Sequence, residues 1–180
     1  MKYANEFSEI SSAVSSNEAL RLKIIGLVGS EPILGKVLEG EGRLQELRVI
    51  ISNFFSGTID VGDAANEVEF RLPKHYSPHE NNNRVFPHGW AERLIRTSIS
   101  CFYNQAVLMQ IIESGQSECY VPHSSSEGRD SKCSQQLAGG RHSASILLNR
   151  LVESYRNGNW GGADVKIPDH PHCTHTVQPL

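Results

Sequence analysis

A short segment near the C-terminus, rich in histidine and cysteine, constrains this chain more than any other feature. The residues His170-Pro171-His172-Cys173-Thr174-His175 include three histidines and one cysteine. Imidazole nitrogen and thiolate sulfur are the ligands that Zn²⁺ prefers in proteins. Pro168 and Pro171 restrict the backbone here, so a tight turn can direct two or three of these side chains at one point. The segment is typical either of a metal-binding turn or of an exposed, histidine-rich tail.

A four-coordinate metal site needs a further ligand from elsewhere in the chain. Cys133, in the polar segment Arg129-Asp130-Ser131-Lys132-Cys133, is the best placed candidate. We predict one structural zinc ion, with His172 as a reserve ligand. The four predicted ligands are Cys133, His170, Cys173 and His175.

The remaining cysteines are predicted not to bind metal. The N-terminal residues lack the apolar run of a secretory signal, so reduced thiols are expected and metal ligation outranks disulfides. Cys101 falls in an apolar helical stretch and Cys119 in an apolar strand-like one. A free cysteine in such surroundings behaves as a small hydrophobic residue.

Charge and hydropathy exclude two classes of protein. The formal net charge of −3 argues against a protein that coats nucleic acid by neutralising phosphates. The longest apolar stretch, Ile24-Ile25-Gly26-Leu27-Val28, is far too short to span a bilayer. A chain of 180 residues is long enough to bury a core, and its simplest organisation is one domain with an appendage.

Hydrophobic spacing predicts an α+β fold that begins with short helices. Asn17 can cap the second helix, with Gly29 beyond its end. Residues 58–72 are ambiguous, because Val68, Phe70 and Leu72 alternate as in a strand while the preceding residues suit a helix start. This N-terminal part, residues 1–72, is interpreted as a helical arm.

The second half is predicted to be a small mixed module. One apolar stripe predicts a long helix that ends before Gly115. A strand at Glu118-Cys119-Tyr120-Val121, a Ser/Gly-rich loop through Lys132, a helix after Ser143 and a short strand at Val165-Lys166-Ile167 follow. We therefore divide the chain into the arm (1–72), a linker (73–89) and a module (90–180) that ends in the His/Cys-rich turn.

Four short pieces of the second half occur in an order that resembles a known family. They are Leu94-Ile95-Arg96-Thr97 with Tyr103-Asn104-Gln105-Ala106, then Ser114-Gly115 before a strand, then Asp130 and Cys133 ahead of Leu137-Ala138-Gly139, and last His170-Pro171-His172-Cys173. In order and spacing they are similar to the phage minor head (head morphogenesis) family typified by the phage Mu F protein. The resemblance covers roughly residues 88–180, and the N-terminal half is unmatched.

Three positions depart from the family pattern. Ser98 stands where the family often has an acidic residue after its arginine–threonine pair. Cys133 stands alone where two cysteines are common, and His175 replaces the second cysteine of the terminal signature. The change to histidine still preserves a zinc ligand.

The resemblance implies a structural component of a bacteriophage head or portal vertex rather than an enzyme. Such a protein acts in capsid assembly, DNA packaging or DNA delivery; it is assembled in the host cytoplasm and resides in the virion. The implied partners are the portal protein, the major capsid protein or both, with weak contact to packaged DNA at most and no membrane. The implied state within the virion is oligomeric.

Two alternatives start from the residues themselves. A metal-dependent nuclease of the His/Cys-rich type needs a histidine base and oxygen ligands, which His170, Asp169 and Asp130 can supply. Against it, the strand–loop–helix expected after the last histidine of that motif is not seen. The third interpretation is a metal-free interaction module.

Overall fold

The computed structural model describes residues 3–158 and 164–180 and has an α+β fold, as the sequence predicts. Within these ranges the chain forms seven α-helices and one three-stranded antiparallel sheet. Among the described residues, no helix has both the length and the hydropathy needed to cross a bilayer.

The chain begins with four α-helices, the first three in the region that was predicted to be helical. They are α1 (Ile10–Ser15), α2 (Glu18–Ser30), α3 (Arg43–Phe55) and α4 (Val61–Arg71). The Oδ1 atom of Asn17 accepts a hydrogen bond from Leu20 N at 3.2 Å, so Asn17 caps α2 as predicted. Gly29 lies inside α2 rather than beyond it, since the helix continues to the last residues before Pro32.

The ambiguous segment 58–72 is helical. Asp60 precedes α4, and its Oδ1 atom accepts a hydrogen bond from Asp63 N at 2.8 Å. This cap satisfies one backbone donor of the first turn and favours the helix over the alternating strand pattern. In this helical segment Phe70 is 82% exposed, whereas Val68 and Leu72 are buried.

Helix α5 (Trp90–Glu113) lies at the centre of the fold. Helices α2, α4 and α7 (Ala144–Arg156) pack against it. Its apolar stripe is buried, and so are Ser100 and Asn104 on the opposite side. The buried apolar residues of the predicted arm and module form one cluster. The division into arm, linker and module stays a prediction.

The sheet has the order β2-β1-β3. Its strands are β1 (Glu118–Val121), β2 (Gly140–Ser143) and β3 (Gln178–Pro179), and a short helix α6 (Lys132–Leu137) lies between β1 and β2. Strand β1 was predicted, whereas β2 and α6 were not. Gly139, with φ +72°, makes the turn from α6 into β2, and its N–H bonds Val121 O at 2.8 Å.

The predicted strand at Val165-Lys166-Ile167 is wrong. These residues run irregularly into the His/Cys-rich turn. Both edges of β1 are already paired, one with β2 and the other with β3. Pro168, which follows directly, cannot donate to a ladder.

The two ends of the chain meet beside the sheet. Phe7 N donates to Thr174 O at 2.8 Å, and Thr176 Oγ1 donates to Ala4 O at 2.7 Å. Ala4 N in turn donates to the hydroxyl of Tyr103 on α5 at 2.7 Å. These bonds hold the C-terminal segment in place between the N-terminal residues and α5.

Candidate metal centre

Three separate parts of the fold supply the candidate ligands. Glu127 lies on the loop after β1, and Cys133 lies in the first turn of α6, which Ser131 caps through a bond from Ser134 N. His170 and Cys173 lie on the C-terminal turn, which the bond from Cys173 N to His170 O closes at 3.0 Å. Local turns therefore help to fix the positions of Cys133, His170 and Cys173.

Four donor atoms converge at this point. The donors of Glu127, Cys133, His170 and Cys173 all lie within 4.8 Å of one another. Cys133 Sγ is 2.6 Å from Glu127 Oε1 and 3.3 Å from His170 Nε2. His170 Nε2 is 2.9 Å from Glu127 Oε1. We refer to these four residues as the metal cluster.

The metal cluster lies at the edge of the hydrophobic core. Cys133 and Cys173 are 1% and 2% exposed. The Glu127 side chain is 9% exposed, whereas that of His170 is 40% exposed. One side of the cluster therefore faces solvent through His170, and the rest is shielded.

Three of the predicted ligands belong to this cluster, and the fourth, His175, lies beside it. His175 is fully buried, with Nδ1 3.6 Å from Cys173 Sγ and 3.4 Å from Glu127 Oε2. Its Nε2 atom is 3.3 Å from Ser134 Oγ. His175 is thus placed either to bind an ion itself or to orient Glu127. The predicted ligand set stays a prediction.

The other candidates lie apart from the cluster. His172, the reserve ligand, is exposed on the same turn. Cys101 is buried in α5, and Cys119 is buried in β1 with Sγ 3.4 Å from His142 O. In the described chain all four cysteines are free thiols.

Glu127 was missed by the sequence analysis. It is one glutamate in a Ser/Gly-rich loop, where a carboxylate is usually solvated. The features that mark it are tertiary: Thr174 donates to its Oε2 atom through both N–H, at 3.0 Å, and Oγ1–H, at 2.9 Å. Its position in the loop carries no signal of this contact.

The environment favours the charged forms of Glu127 and Cys133. Burial raises the pKa of the Glu127 carboxyl, but hydrogen bonds from Cys133, Thr174 and His170 outweigh it and lower the pKa to about 2. A hydrogen bond from the Cys173 thiol lowers the pKa of Cys133 to about 6, against burial and the Glu127 carboxylate. The hydrogen bond between the two thiols also raises the pKa of Cys173 well above its ordinary value.

The same neighbours shift the pKa of His170. Burial lowers the pKa of its imidazole, but hydrogen bonds to Cys133 and Glu127 raise it above 6.5 overall. The Cys133 sulfur lies 2.6 Å from the Glu127 carboxylate, and His170 and His175 each place a ring nitrogen within 3.4 Å of that carboxylate. A divalent cation bound here would replace the protons shared among these groups with ligand bonds.

The donor set restricts the kind of ion. Two sulfurs, one imidazole nitrogen and one carboxylate oxygen suit a borderline-soft ion. Mg²⁺ and Ca²⁺ bind through oxygen ligands, so the two cysteines disfavour them. The cluster could therefore hold a metal ion.

Comparisons of this chain with protein-family models, with curated proteins and with solved structures found no match. A role in a phage head therefore depends on the resemblance of the four sequence pieces alone.

Proposed function

We propose that this chain is a non-enzymatic structural protein whose C-terminal turn is clamped to α6 and the β1–α6 loop by one zinc ion. The observation that carries the proposal is the convergence of Glu127, Cys133, His170 and Cys173 within 4.8 Å. Four protein donors fill a tetrahedral zinc site, as in structural sites, and leave no position for a substrate.

The site is well placed to contribute folding free energy. Cys133 and His170 are separated by 37 positions along the chain, so a shared ion closes a loop of that size. Because the four donors come together only in the folded chain, the free energy of metal binding adds to the stability of the folded state. The terminal segment has little regular structure of its own, because β3 spans only Gln178–Pro179.

We further propose that the protein works as a component of a bacteriophage head or portal vertex. The resemblance supports this role, and some residues of its pieces take part in tertiary contacts or turns. The backbone N–H of Val177 donates to Asn104 Oδ1. Cys133 Sγ lies 3.3 Å from His170 Nε2, and Gly139 makes the turn into β2. Residues with a shared structural role would be expected to meet in this way.

Exposed aromatic side chains offer a surface for assembly. Phe70 on α4 is 82% exposed, and Tyr76 in the following 3-10 turn (Lys74–Tyr76) is 73% exposed. Aromatic residues of this kind are enriched at protein interfaces and are costly to leave in water. We assign the contact with portal or capsid protein to this part of the chain.

Co-expression with phage portal and major capsid proteins tests the assembly role. The full chain should co-sediment with one of them, and Phe70→Ser with Tyr76→Ser should weaken this association without loss of stability. Leu22→Ser is the matched control, because Leu22 is 60% exposed on α2 and belongs to another surface. Absence of co-sedimentation by the wild-type chain, or an equal loss in the control, would contradict the role.

A metal-dependent nuclease is the alternative function, because the partly exposed His170 is accessible to a substrate. In that case His170 would act as the base, and Glu127 rather than Asp130 would be the oxygen ligand. Metal-dependent nicking of a plasmid by the pure protein, abolished by His170→Ala, would support the nuclease and overturn the structural proposal.

A further inference from the structure

Glu6 near the N-terminus is held by three consecutive serines of the β1–α6 loop. Its carboxylate accepts hydrogen bonds from Ser124 Oγ at 2.8 Å, Ser125 N at 2.7 Å and Ser126 N at 3.2 Å. The hydroxyls of Ser125 and Ser126 also donate to it, at 3.0 Å and 3.1 Å. We call Glu6 with Ser124, Ser125 and Ser126 the N-terminal clasp.

The N-terminal clasp is joined directly to the metal cluster. Ser126 precedes Glu127 in the chain, so the clasp fixes the backbone that carries this ligand. The Thr174 hydroxyl lies 2.7 Å from Ser124 Oγ and 2.9 Å from Glu127 Oε2. Thr174 thus contacts the clasp on one side and the Glu127 carboxylate on the other.

The backbone of the same residues strengthens this connection. Phe7 N donates to Thr174 O at 2.8 Å, and Glu6 pairs with His175 in an isolated antiparallel bridge. Residues 122–127 belong to no helix or strand, and the N–H groups of Ser125 and Ser126 bond Glu6. The loop that carries Glu127 is therefore ordered largely by a side chain from the other end of the sequence.

We propose that Glu6 is a positioning residue of the metal centre, which sets metal affinity by fixing the place of Glu127 through the clasp and Thr174. The proposal rests on the proposed function, that the cluster binds zinc. Partners of metal ligands typically change affinity by about 10–100-fold when removed. Because linkage is reciprocal, the bound ion should also order the N-terminal residues to the same extent.

Zinc affinity of the full chain, measured by competition with a chromophoric chelator, tests the proposal. Glu6→Gln keeps the size of the side chain and removes its charge, and it should weaken zinc binding by about 10–100-fold. The matched control is Glu9→Gln, which removes the same charge from the same segment. In the described part of the chain, Asn5 donates to the Glu9 carboxylate and no hydrogen bond joins Glu9 to the three clasp serines, so this variant should bind zinc as the wild type does.

A second measurement separates positioning from general stability. In a Glu127→Gln background, Glu6→Gln should have little further effect on zinc affinity, since its action passes through Glu127. An equal loss of affinity in both backgrounds would show a purely structural role and overturn the proposal. Should Glu6→Gln fail to fold, Ser125→Ala removes one hydroxyl donor and should give a smaller loss of the same kind.

The outcomes separate this inference from the proposed function. Wild-type protein that binds zinc, with Glu6→Gln indistinguishable from Glu9→Gln, would overturn the role of Glu6 and leave the zinc site standing. Wild-type protein that binds no zinc would overturn both.

Discussion

The Oδ1 atom of Asn104, in the middle of α5, accepts a hydrogen bond from the backbone N–H of Val177 at 2.9 Å. Asn104 is fully buried, and its Nδ2 atom donates to Ser100 O at 2.9 Å and to Ser100 Oγ at 3.1 Å. The longest helix thereby holds the segment that leads out of the metal-binding turn. Ser100 and Asn104 on this helix therefore serve tertiary structure rather than solvation.

Asn104→Leu should destabilise the protein. The apolar replacement has a similar volume but leaves the Val177 N–H buried without an acceptor, which costs about 1–3 kcal/mol. Urea denaturation would measure the change. Asn81→Leu is the control, because Asn81 is exposed and bonds the exposed Glu80, so its effect should stay within about 0.5 kcal/mol. Equal stabilities of the two variants would contradict the role of Asn104.

Glu127→Gln should weaken metal binding without unfolding the protein. The substitution removes the negative charge and one strong donor, so we expect zinc affinity to fall by at least about tenfold. Titration with a competing chelator provides the measurement. The exposed Glu118 on β1 gives the control Glu118→Gln, which should bind zinc normally. An unchanged affinity in Glu127→Gln would leave His175 as the preferred fourth ligand.

Cys101 and Cys119 should be dispensable for the metal. Both lie in apolar surroundings, where burial raises the pKa of Cys101 to about 12 and that of Cys119 to about 11. Neither thiol belongs to the group of donor atoms that lie within 4.8 Å of one another, so neither is placed to bind the same ion. Replacement of both by alanine should leave the zinc content unchanged. Loss of zinc in this variant would contradict the assigned cluster.

The clasp predicts a dependence of stability on acidity. The hydrogen bond from Ser124, aided by Ser8 and Ser125 and opposed by burial, lowers the pKa of the Glu6 carboxyl from 4.5 to about 2. Since the folded pKa lies below the unfolded one, the stabilisation is fully present above pH 4.5 and is lost as the pH falls towards 2.

Urea unfolding of metal-free wild type and Glu6→Gln tests this pH dependence. Solvent screens the half-exposed carboxylate, so the wild type should be more stable by only about 1 kcal/mol at neutral pH. The difference between the two proteins should shrink as the pH falls below 4.5. A difference that stays constant down to about pH 3 would show that the Glu6 charge does not stabilise the fold.

The sequence pointed to three members of the candidate cluster, because their residue types themselves carry metal-binding chemistry. His170 and Cys173 lie close together in the sequence, and Cys133 stood out because its residue type is a common zinc ligand. Glu127 is different, because glutamate is common on surfaces and only its contacts with Thr174 and His170 mark it. A signal of this kind exists only in three dimensions.

The same distinction between local and tertiary signals explains which parts of the fold could be predicted. Helices α2 and α5 were predictable, because apolar spacing and the Asn17 cap are local properties of the chain. Strand β2 was not, since Gly140-Arg141-His142-Ser143 has no alternation of apolar residues and is a strand only through pairing with β1. The segment Val165-Lys166-Ile167 shows the converse: it resembles a strand in sequence but forms none, because both edges of β1 are paired and Pro168 follows directly.

The metal content of the protein tests the central claim most directly. Protein purified without added metal should contain about one zinc ion per chain by elemental analysis, and Cys133→Ser or Cys173→Ser should abolish it. Zinc near one equivalent in the wild type, lost in both variants, is the result that the structure predicts. A wild-type protein that is folded and free of metal would contradict the zinc clamp and the assignment of its ligands.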